Sequence, residues 1–148
     1  VNALAVLELC RADAVVVDFG TATTFDCVTG DGRFIGGAIM PGLRTSADQL
    51  TRLAAKLPAT ELAAPERVIG RRTEECIRAG VLFGAADAAD GMLRRIFDEW
   101  PTVTKPVVLA TGGLAGIIAP FSTLIRRIEP DLTLRGLRIA ASHLGLRW

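Results

Sequence analysis

A carboxylate, a glycine and three threonine hydroxyls stand close together in residues 18–24, which read DFGTATT. The run of valines at 15–17 immediately before them predicts a short buried strand. A strand that ends in this way brings Asp18, the bare backbone of Gly20 and the hydroxyl of Thr21 to one edge of a sheet. Threonine hydroxyls and backbone N–H groups suit phosphate oxygens, and a carboxylate suits a cation that accompanies phosphate. Phosphate binding is one interpretation, and an ordinary polar β-turn is the other.

A second candidate lies where the apolar stretch 106–110 ends in Thr111, Gly112 and Gly113. A short helix is predicted to follow over about 114–120. A strand, two glycines and a helix N-terminus together let an anion or a nucleotide approach backbone N–H groups. A pair of glycines alone is weak evidence for such a site.

A third candidate, Thr73, opens the longest helical pattern, which is predicted over 73–100. Glu74 and Glu75 follow it, so a capping hydroxyl with acids in the first turn explains Thr73 without any function. Gly80 and Gly84 lie inside this helix, where each costs about 1 kcal/mol. Their presence suggests close packing against another helix, the sheet or a second subunit.

The elements that must position these residues follow from periodicity and turn chemistry. Helices are predicted over 1–11, 43–56 and 136–144, and strands over 14–19, 23–28, 33–40 and 106–110. The turn at 29–32 joins the second and third strands into an antiparallel hairpin. Gly36 and Gly37 mark a bulge or a close backbone approach. Residues 57–67 read as an irregular link, and 124–134 as a mixed stretch.

Composition narrows the class of protein. The chain has 148 residues, half of them hydrophobic, which favours one domain. With 17 basic and 16 acidic residues and no clustered basic excess, nothing indicates a nucleic-acid surface. Three separated cysteines, Cys10, Cys27 and Cys76, form neither a disulfide framework nor a metal pattern, and favour a reduced, cytoplasmic setting. There is no apolar run of membrane-spanning length and no signal peptide, although a start at Val1 leaves a lost leader open.

Three motifs in order resemble those of the type III pantothenate kinases, which belong to the acetate kinase/Hsp70/actin group. They are residues 18–24, the Gly-Gly-x-Ile-x-Pro-Gly segment at 36–42 and Thr-Gly-Gly at 111–113. The resemblance implies an α/β, ribonuclease H-like (actin-like ATPase) domain with three antiparallel strands, then parallel strands, and helices packed on the sheet. It also implies that 1–148 is one C-terminal-type domain of a two-domain kinase, with an inter-domain helix at 1–11 and the core at 12–148.

The same resemblance implies ATP-dependent phosphorylation of pantothenate, the first step of coenzyme A biosynthesis, with Mg²⁺ and a monovalent cation, K⁺ or NH₄⁺. It implies a homodimer with the acceptor site near the subunit interface. Arg72 stands where the family has an asparagine, which weakens the local match at Thr73. The implied contacts are Asp18 with the monovalent cation, Gly20 and Thr21 with ATP phosphate, Thr111, Gly112 and Gly113 with adenosine, and Thr73 with pantothenate.

The resemblance extends over about the second half of a family member. The N-terminal domain, and the family's catalytic aspartate in a Gly-x-Asp-Arg segment, fall before Val1, so no catalytic residue is assigned within the chain. We expect the isolated chain to bind nucleotide weakly and not to turn over. Asp26 is assigned no role and is expected to be solvated. Two alternatives remain: a non-catalytic regulatory domain of the same fold that binds nucleotide or a partner, and another sugar or acid kinase, against which the last two motifs argue.

Overall fold

The protein is built around one five-stranded mixed sheet. The computed structural model describes residues 1–54 and 56–146. The sheet has the order β3-β2-β1-β4-β5; β1 to β3 are antiparallel, and β4 and β5 run parallel to β1. This confirms the expected antiparallel start followed by parallel strands. The strands are β1 Ala14–Phe19, β2 Ala22–Val28, β3 Phe34–Pro41, β4 Val107–Thr111 and β5 Arg127–Ile128.

Helices cover both faces of the sheet. One face carries α1 and α5, and the other carries α2, α3 and α4. A single 3₁₀ turn at Ala119–Phe121 extends α4. None of the helices in the described residues is long and apolar enough to span a membrane. The helices are α1 Asn2–Cys10, α2 Leu43–Leu53, α3 Thr73–Asp98, α4 Ala115–Ile118 and α5 Leu132–His143.

The valine run in β1 is buried on both sides, which explains why it is continuous rather than alternating. Val15 and Val17 pack towards α3, against residues that include Leu82. Val16 packs towards α1, in the cluster that contains Val6. Because side chains alternate along a strand, Asp18, two positions after Val16, also faces α1.

Two predicted helix boundaries differ from the structure by three residues or more. The last helix begins at Leu132 rather than Gly136, because Leu132 is fully buried in the apolar cluster that contains Val6 of α1. At Gly136 the helix lies so close to α1 that a Cβ atom would overlap the Val1 carbonyl oxygen. The second helix ends at Leu53 rather than at 56, where the neighbouring Ala55 lies outside the described residues.

The two glycines of β3 show both features that the sequence predicts. The pairing register shifts where Gly36 meets Cys27, which is a bulge. A Cβ atom on Gly37 would overlap the Phe25 carbonyl oxygen, so the two strands approach closely there.

Candidate functional site

The register of β1 and β4 brings two of the sequence motifs together. Asp18 pairs with Thr111 across these parallel strands. The turn after β4 is tied to β1 because the Leu114 N–H donates to the Phe19 carbonyl oxygen at 3.2 Å. Both motifs therefore lie at the carboxyl end of the parallel strands, the edge where ligands bind in open α/β sheets.

The two carboxylate oxygens of Asp18 face different neighbours. Oδ2 accepts a hydrogen bond from Asn2 Nδ2 at 3.1 Å. Oδ1 faces the glycine turns: a Cβ atom would lie 2.5 Å from it at Gly112 and 3.7 Å from it at Gly20. Gly112 has φ +92°, a conformation that L side chains rarely adopt. Oδ1 thus lies in a cradle that a larger residue at position 112 would fill.

Thr111 is the fully buried member of the second motif, with no exposed surface. Its Oγ1 has no hydrogen-bond partner among the described residues. Leaving a buried hydroxyl unpaired costs about 1–3 kcal/mol, so this oxygen is one that a ligand could satisfy. Gly113 is exposed and Gly112 partly exposed, so these two glycines are the members of the motif that reach the surface.

These oxygens fit a monovalent cation better than a transition metal. Hard cations take carboxylate and neutral oxygens, which Asp18 Oδ1 and Thr111 Oγ1 supply at this edge. Within the described residues, no group of three or more His, Cys, Asp or Glu side chains could hold a metal. Of these two donors only Asp18 carries a negative charge, and a second carboxylate, that of Asp26, lies on the same face of the sheet.

The turn at Gly20 and Thr21 is anchored to the start of α2. The Thr21 carbonyl oxygen accepts hydrogen bonds from the Gly42 N–H at 3.1 Å and from Thr45 Oγ1 at 2.7 Å. The Thr21 side chain itself is exposed. The backbone of the turn is fixed while its hydroxyl faces solvent, as a phosphate contact requires.

The predicted helix after Gly113 is shorter than the anion-binding interpretation needs. It is α4, one turn long, and it passes directly into the 3₁₀ turn. A macrodipole grows with the number of aligned peptide units. Any nucleotide contact here would therefore depend on the glycine backbone rather than on a helix dipole.

An apolar cavity of about 610 Å³ lies on the opposite face, between the sheet, α2 and α3. Thr73 lies in its lining as the first residue of α3. The capping explanation for Thr73 is wrong, because Arg72 occupies the N-cap position and no side-chain hydrogen bond caps the helix. Instead, the Glu75 carboxylate accepts from the Arg71 N–H at 2.8 Å. The Thr73 hydroxyl is therefore not used as a cap.

Asp26 is not the solvated residue that the sequence suggested. It is half-buried on β2, opposite Val16 and on the same face as Asp18. Loss of solvation raises the pKa of Asp26, and the negative charge of Asp18 adds to this rise. The site thus holds two neighbouring carboxylates.

Two further residues at this edge were given no role by the sequence analysis. They are Asn2, which is buried although polar, and Thr133, which donates to it from α5. A lone polar residue beside Ala5 and Val6 at the start of an apolar helix is the one signal that could have indicated Asn2.

Comparison with known proteins decides the family. The sequence model described as Type III pantothenate kinase matches residues 1–95. This chain belongs to the type III pantothenate kinase family. A type III pantothenate kinase from Moorella thermoacetica is 48% identical over 139 residues, which are 94% of this chain and 54% of that protein. The chain therefore spans about half the length of the curated relatives it matches.

Solved structures agree on the fold. A conserved putative Baf family transcriptional activator from Campylobacter jejuni superposes with a TM-score of 0.65 at 19% identity, over 95% of this chain and 62% of that one. The activator of 2-hydroxyisocaproyl-CoA dehydratase from Clostridium difficile, solved with ADPNP, gives 0.50 at 14% identity, over 99% of this chain and 68% of that one. The ribonuclease H-like class that the resemblance implied is confirmed.

Proposed function

We propose that this chain forms the part of a type III pantothenate kinase that holds the ATP phosphates, a monovalent cation and pantothenate. The complete enzyme transfers the γ-phosphoryl group of ATP to the hydroxyl of pantothenate, the first step towards coenzyme A. One observation carries the proposal: the polar edge around Asp18 adjoins the apolar cavity. The Gly20–Thr21 turn is hydrogen-bonded to Gly42, directly between two cavity-lining residues, Pro41 and Leu43.

Phosphoryl transfer depends on positioning and on neutralising charge around the transferred group. In the proposed arrangement Thr21 and the Gly20 backbone contact phosphate, and Gly112 and Gly113 allow adenosine to approach. Asp18 would hold K⁺ or NH₄⁺, whose positive charge would offset the negative charge of the phosphates, and Mg²⁺ would arrive with ATP. Thr111, for which the resemblance implied a contact with adenosine, would instead supply a neutral oxygen to the cation.

Pantothenate occupies the cavity in this proposal. Its apolar dimethyl group suits the apolar wall, and the cavity volume is in the range of small-molecule sites. The Thr73 hydroxyl, which does not cap α3, hydrogen-bonds to the substrate.

The group that accepts the proton of the pantothenate hydroxyl is proposed to come from the N-terminal part that relatives also have. The isolated chain then binds nucleotide weakly and does not turn over. In the same proposal residues 1–11 form the helix between the two domains, residues 12–148 form the core, and the enzyme is cytoplasmic.

The chain is further proposed to form a homodimer through α3. A Cβ atom on Gly80 or Gly84 would meet no atom of the described residues within 4 Å. No packing within the part of the chain that the structure describes therefore explains these glycines, and both line the cavity. A second copy would cover it. Light scattering should find Gly84→Arg monomeric and Asp98→Arg, at the end of the same helix, dimeric; two dimeric variants would contradict this interface.

The test of function is ATP-dependent phosphorylation of pantothenate with Mg²⁺ and K⁺. It is measured with the chain alone and with a separately expressed N-terminal half of the Moorella thermoacetica relative that includes its Gly-x-Asp-Arg segment. Activity only in the mixture supports the proposal, and Asp18→Asn should abolish it while Asp98→Asn does not. Activity of the chain alone would refute the external proton acceptor. If neither the chain alone nor the mixture is active, although both halves are folded, a non-catalytic binding domain would be favoured.

The role of Thr73 has its own matched pair of variants. Thr73→Val should raise the KM for pantothenate about tenfold, the effect of one lost hydrogen bond, and leave the KM for ATP unchanged. Thr73→Ser retains the hydroxyl and should restore most of the affinity. A panel of sugar and acid acceptors tests the substrate class, and a better acceptor than pantothenate would refute it.

A further inference from the structure

Asn2 connects the Asp18 carboxylate to the C-terminal helix. The residue is 8% exposed at the start of α1. Its Nδ2 donates to Asp18 Oδ2 at 3.1 Å, and its Oδ1 accepts from Thr133 Oγ1 at 2.8 Å. Burial raises the pKa of the neighbouring Asp26, and the Asn2 amide partly opposes this rise. The amide thus uses a donor and its acceptor at once.

The contact between α5 and α1 holds this amide in place. Leu132 at the start of α5 is fully buried in the cluster that contains Val6 and Val16. One turn later, Gly136 lets the helix backbone touch the Val1 carbonyl. Thr133 lies between these two fixed points, so its backbone cannot move away from Asn2 without separating the helices.

A carboxylate needs such a partner if it is to hold one orientation. The terminal torsion of aspartate is broad rather than confined to sharp wells. With Oδ2 bonded to Asn2, the plane of the Asp18 carboxylate is set, and Oδ1 faces the cradle beside Gly112 and Gly20. Without that bond, either oxygen could turn away from the cradle.

We propose that Asn2 and Thr133 are positioning residues that orient Asp18 for the monovalent cation, so that the C-terminal helix controls a site it does not touch. The inference rests on the cation role given to Asp18 in the proposed function. It predicts that the affinity for K⁺ depends on both residues.

The first measurement uses the 148-residue chain. K⁺ is titrated against the ¹⁵N-labelled protein, and the Gly20 and Gly112 amide resonances report binding. Asn2→Ala should raise the apparent dissociation constant about tenfold, the loss of one hydrogen bond to a charged group. Asn2→Asp keeps an oxygen that accepts from Thr133 but loses the N–H that donates to Asp18. Its apparent dissociation constant for K⁺ should rise by at least as much.

Matched variants separate positioning from a general loss of structure. Thr133→Val should weaken K⁺ binding, and Thr133→Ser should restore it. Thr51→Val removes a threonine hydroxyl that bonds to the Ala47 carbonyl on α2 and should leave K⁺ binding unchanged. The double variant Asn2→Ala with Thr133→Val should be no weaker than Asn2→Ala alone, because both act through one bond.

The second measurement uses the active mixture of halves. The K⁺ concentration for half-maximal activation should rise by the same factor in Asn2→Ala, while the KM for pantothenate stays constant. The inference is overturned if folded Asn2→Ala depends on K⁺ as the parent chain does. It is also overturned if the resonances of the parent chain do not shift when K⁺ is added. A mixture that phosphorylates pantothenate with unaltered K⁺ dependence refutes only the inference. An inactive mixture whose chain still shows Asn2-dependent K⁺ binding refutes only the proposed function.

Discussion

Replacing Gly112 by alanine tests whether the cradle beside Asp18 is built as described. The new Cβ atom would lie 2.5 Å from Asp18 Oδ1, 2.6 Å from the Phe19 carbonyl oxygen and 2.7 Å from the Phe19 carbonyl carbon. The aspartate side chain could turn aside, but the β1 backbone cannot move without disturbing its pairing with β4. The backbone at position 112 also has φ +92°.

Two costs add up in Gly112→Ala. An L residue in a left-handed conformation costs about 1–2 kcal/mol, and overpacking against fixed atoms costs about 1–3 kcal/mol. The free energy of unfolding should fall by roughly 2–5 kcal/mol. With a urea slope of about 1–3 kcal/mol per molar, the midpoint of unfolding should drop by at least about 0.7 M.

Gly113→Ala is the matched control. A Cβ atom there would meet no atom of the described residues within 4 Å, and its φ is not positive. Its stability should lie within about 0.5 kcal/mol of the parent. Urea unfolding followed by far-ultraviolet circular dichroism measures both variants. Equal midpoints for Gly112→Ala and Gly113→Ala would refute the close approach of the two strand ends.

Further predictions concern titratable groups away from the cradle. Asp90 is 3% exposed and accepts hydrogen bonds from residues 122–123, so Asp90→Asn should lower the free energy of unfolding by about 2 kcal/mol in urea; an unchanged midpoint would contradict those bonds. The pKa of Asp13 is lowered, first by the indole N–H at position 100, and that of Asp90 is lowered because hydrogen bonds outweigh its burial. Both folded pKa values lie below the unfolded value of about 3.9. The two carboxylates therefore contribute fully to the free energy of unfolding above that pH, and the contribution is lost as pH falls through the folded values. Urea midpoints measured between about pH 6 and 2.5 should decline accordingly. The pKa of Asp26 is raised, so the ionised group opposes folding at neutral pH, and Asp26→Asn should raise the urea midpoint at pH 7; a lower midpoint would show that its charge supports the fold. Burial raises the pKa of the Cys27 thiol to about 11, so a thiol reagent at about pH 8 should modify exposed Cys76 well before Cys27, as peptide mass spectrometry would show, and equal rates would argue against burial of Cys27.

The sequence was sufficient for elements whose signal is local. Residues 15–17 predicted β1, and the glycine-rich turn at 29–32 predicted the hairpin of β2 and β3. The strand β5 was missed because it has two residues, Arg127 and Ile128, both exposed. It forms because β4 offers a parallel neighbour, with the Glu129 N–H donating to the Ala110 carbonyl at 2.8 Å. A strand that depends on its partner leaves little pattern of its own.

The candidate site was likewise predictable only where its signal is local. Asp18 and Gly112 were recognisable by residue type, but their contact depends on the register of β1 and β4, which no local pattern specifies. Asn2 and Thr133 are 131 residues apart. Their bond exists because α5 crosses α1 at Gly136, where a side chain would overlap the Val1 carbonyl oxygen.

On the face of the sheet beneath α1, two carboxylates lie close together in a way that lowers the stability of the fold. Asp18 and Asp26 lie on neighbouring strands of that face, and their mutual repulsion adds to the burial that raises the pKa of Asp26. One neutral amide, Asn2, donates a hydrogen bond to Asp18 and stabilises ionised Asp26. A core that served only the fold would replace a half-buried carboxylate by an apolar side chain at little cost. A bound cation would instead remove this destabilisation. Its positive charge would stabilise the two ionised carboxylates, and the Thr111 hydroxyl oxygen, which has no partner among the described residues, could coordinate it beside the glycine cradle. The local destabilisation is therefore itself an argument that this edge is a binding site.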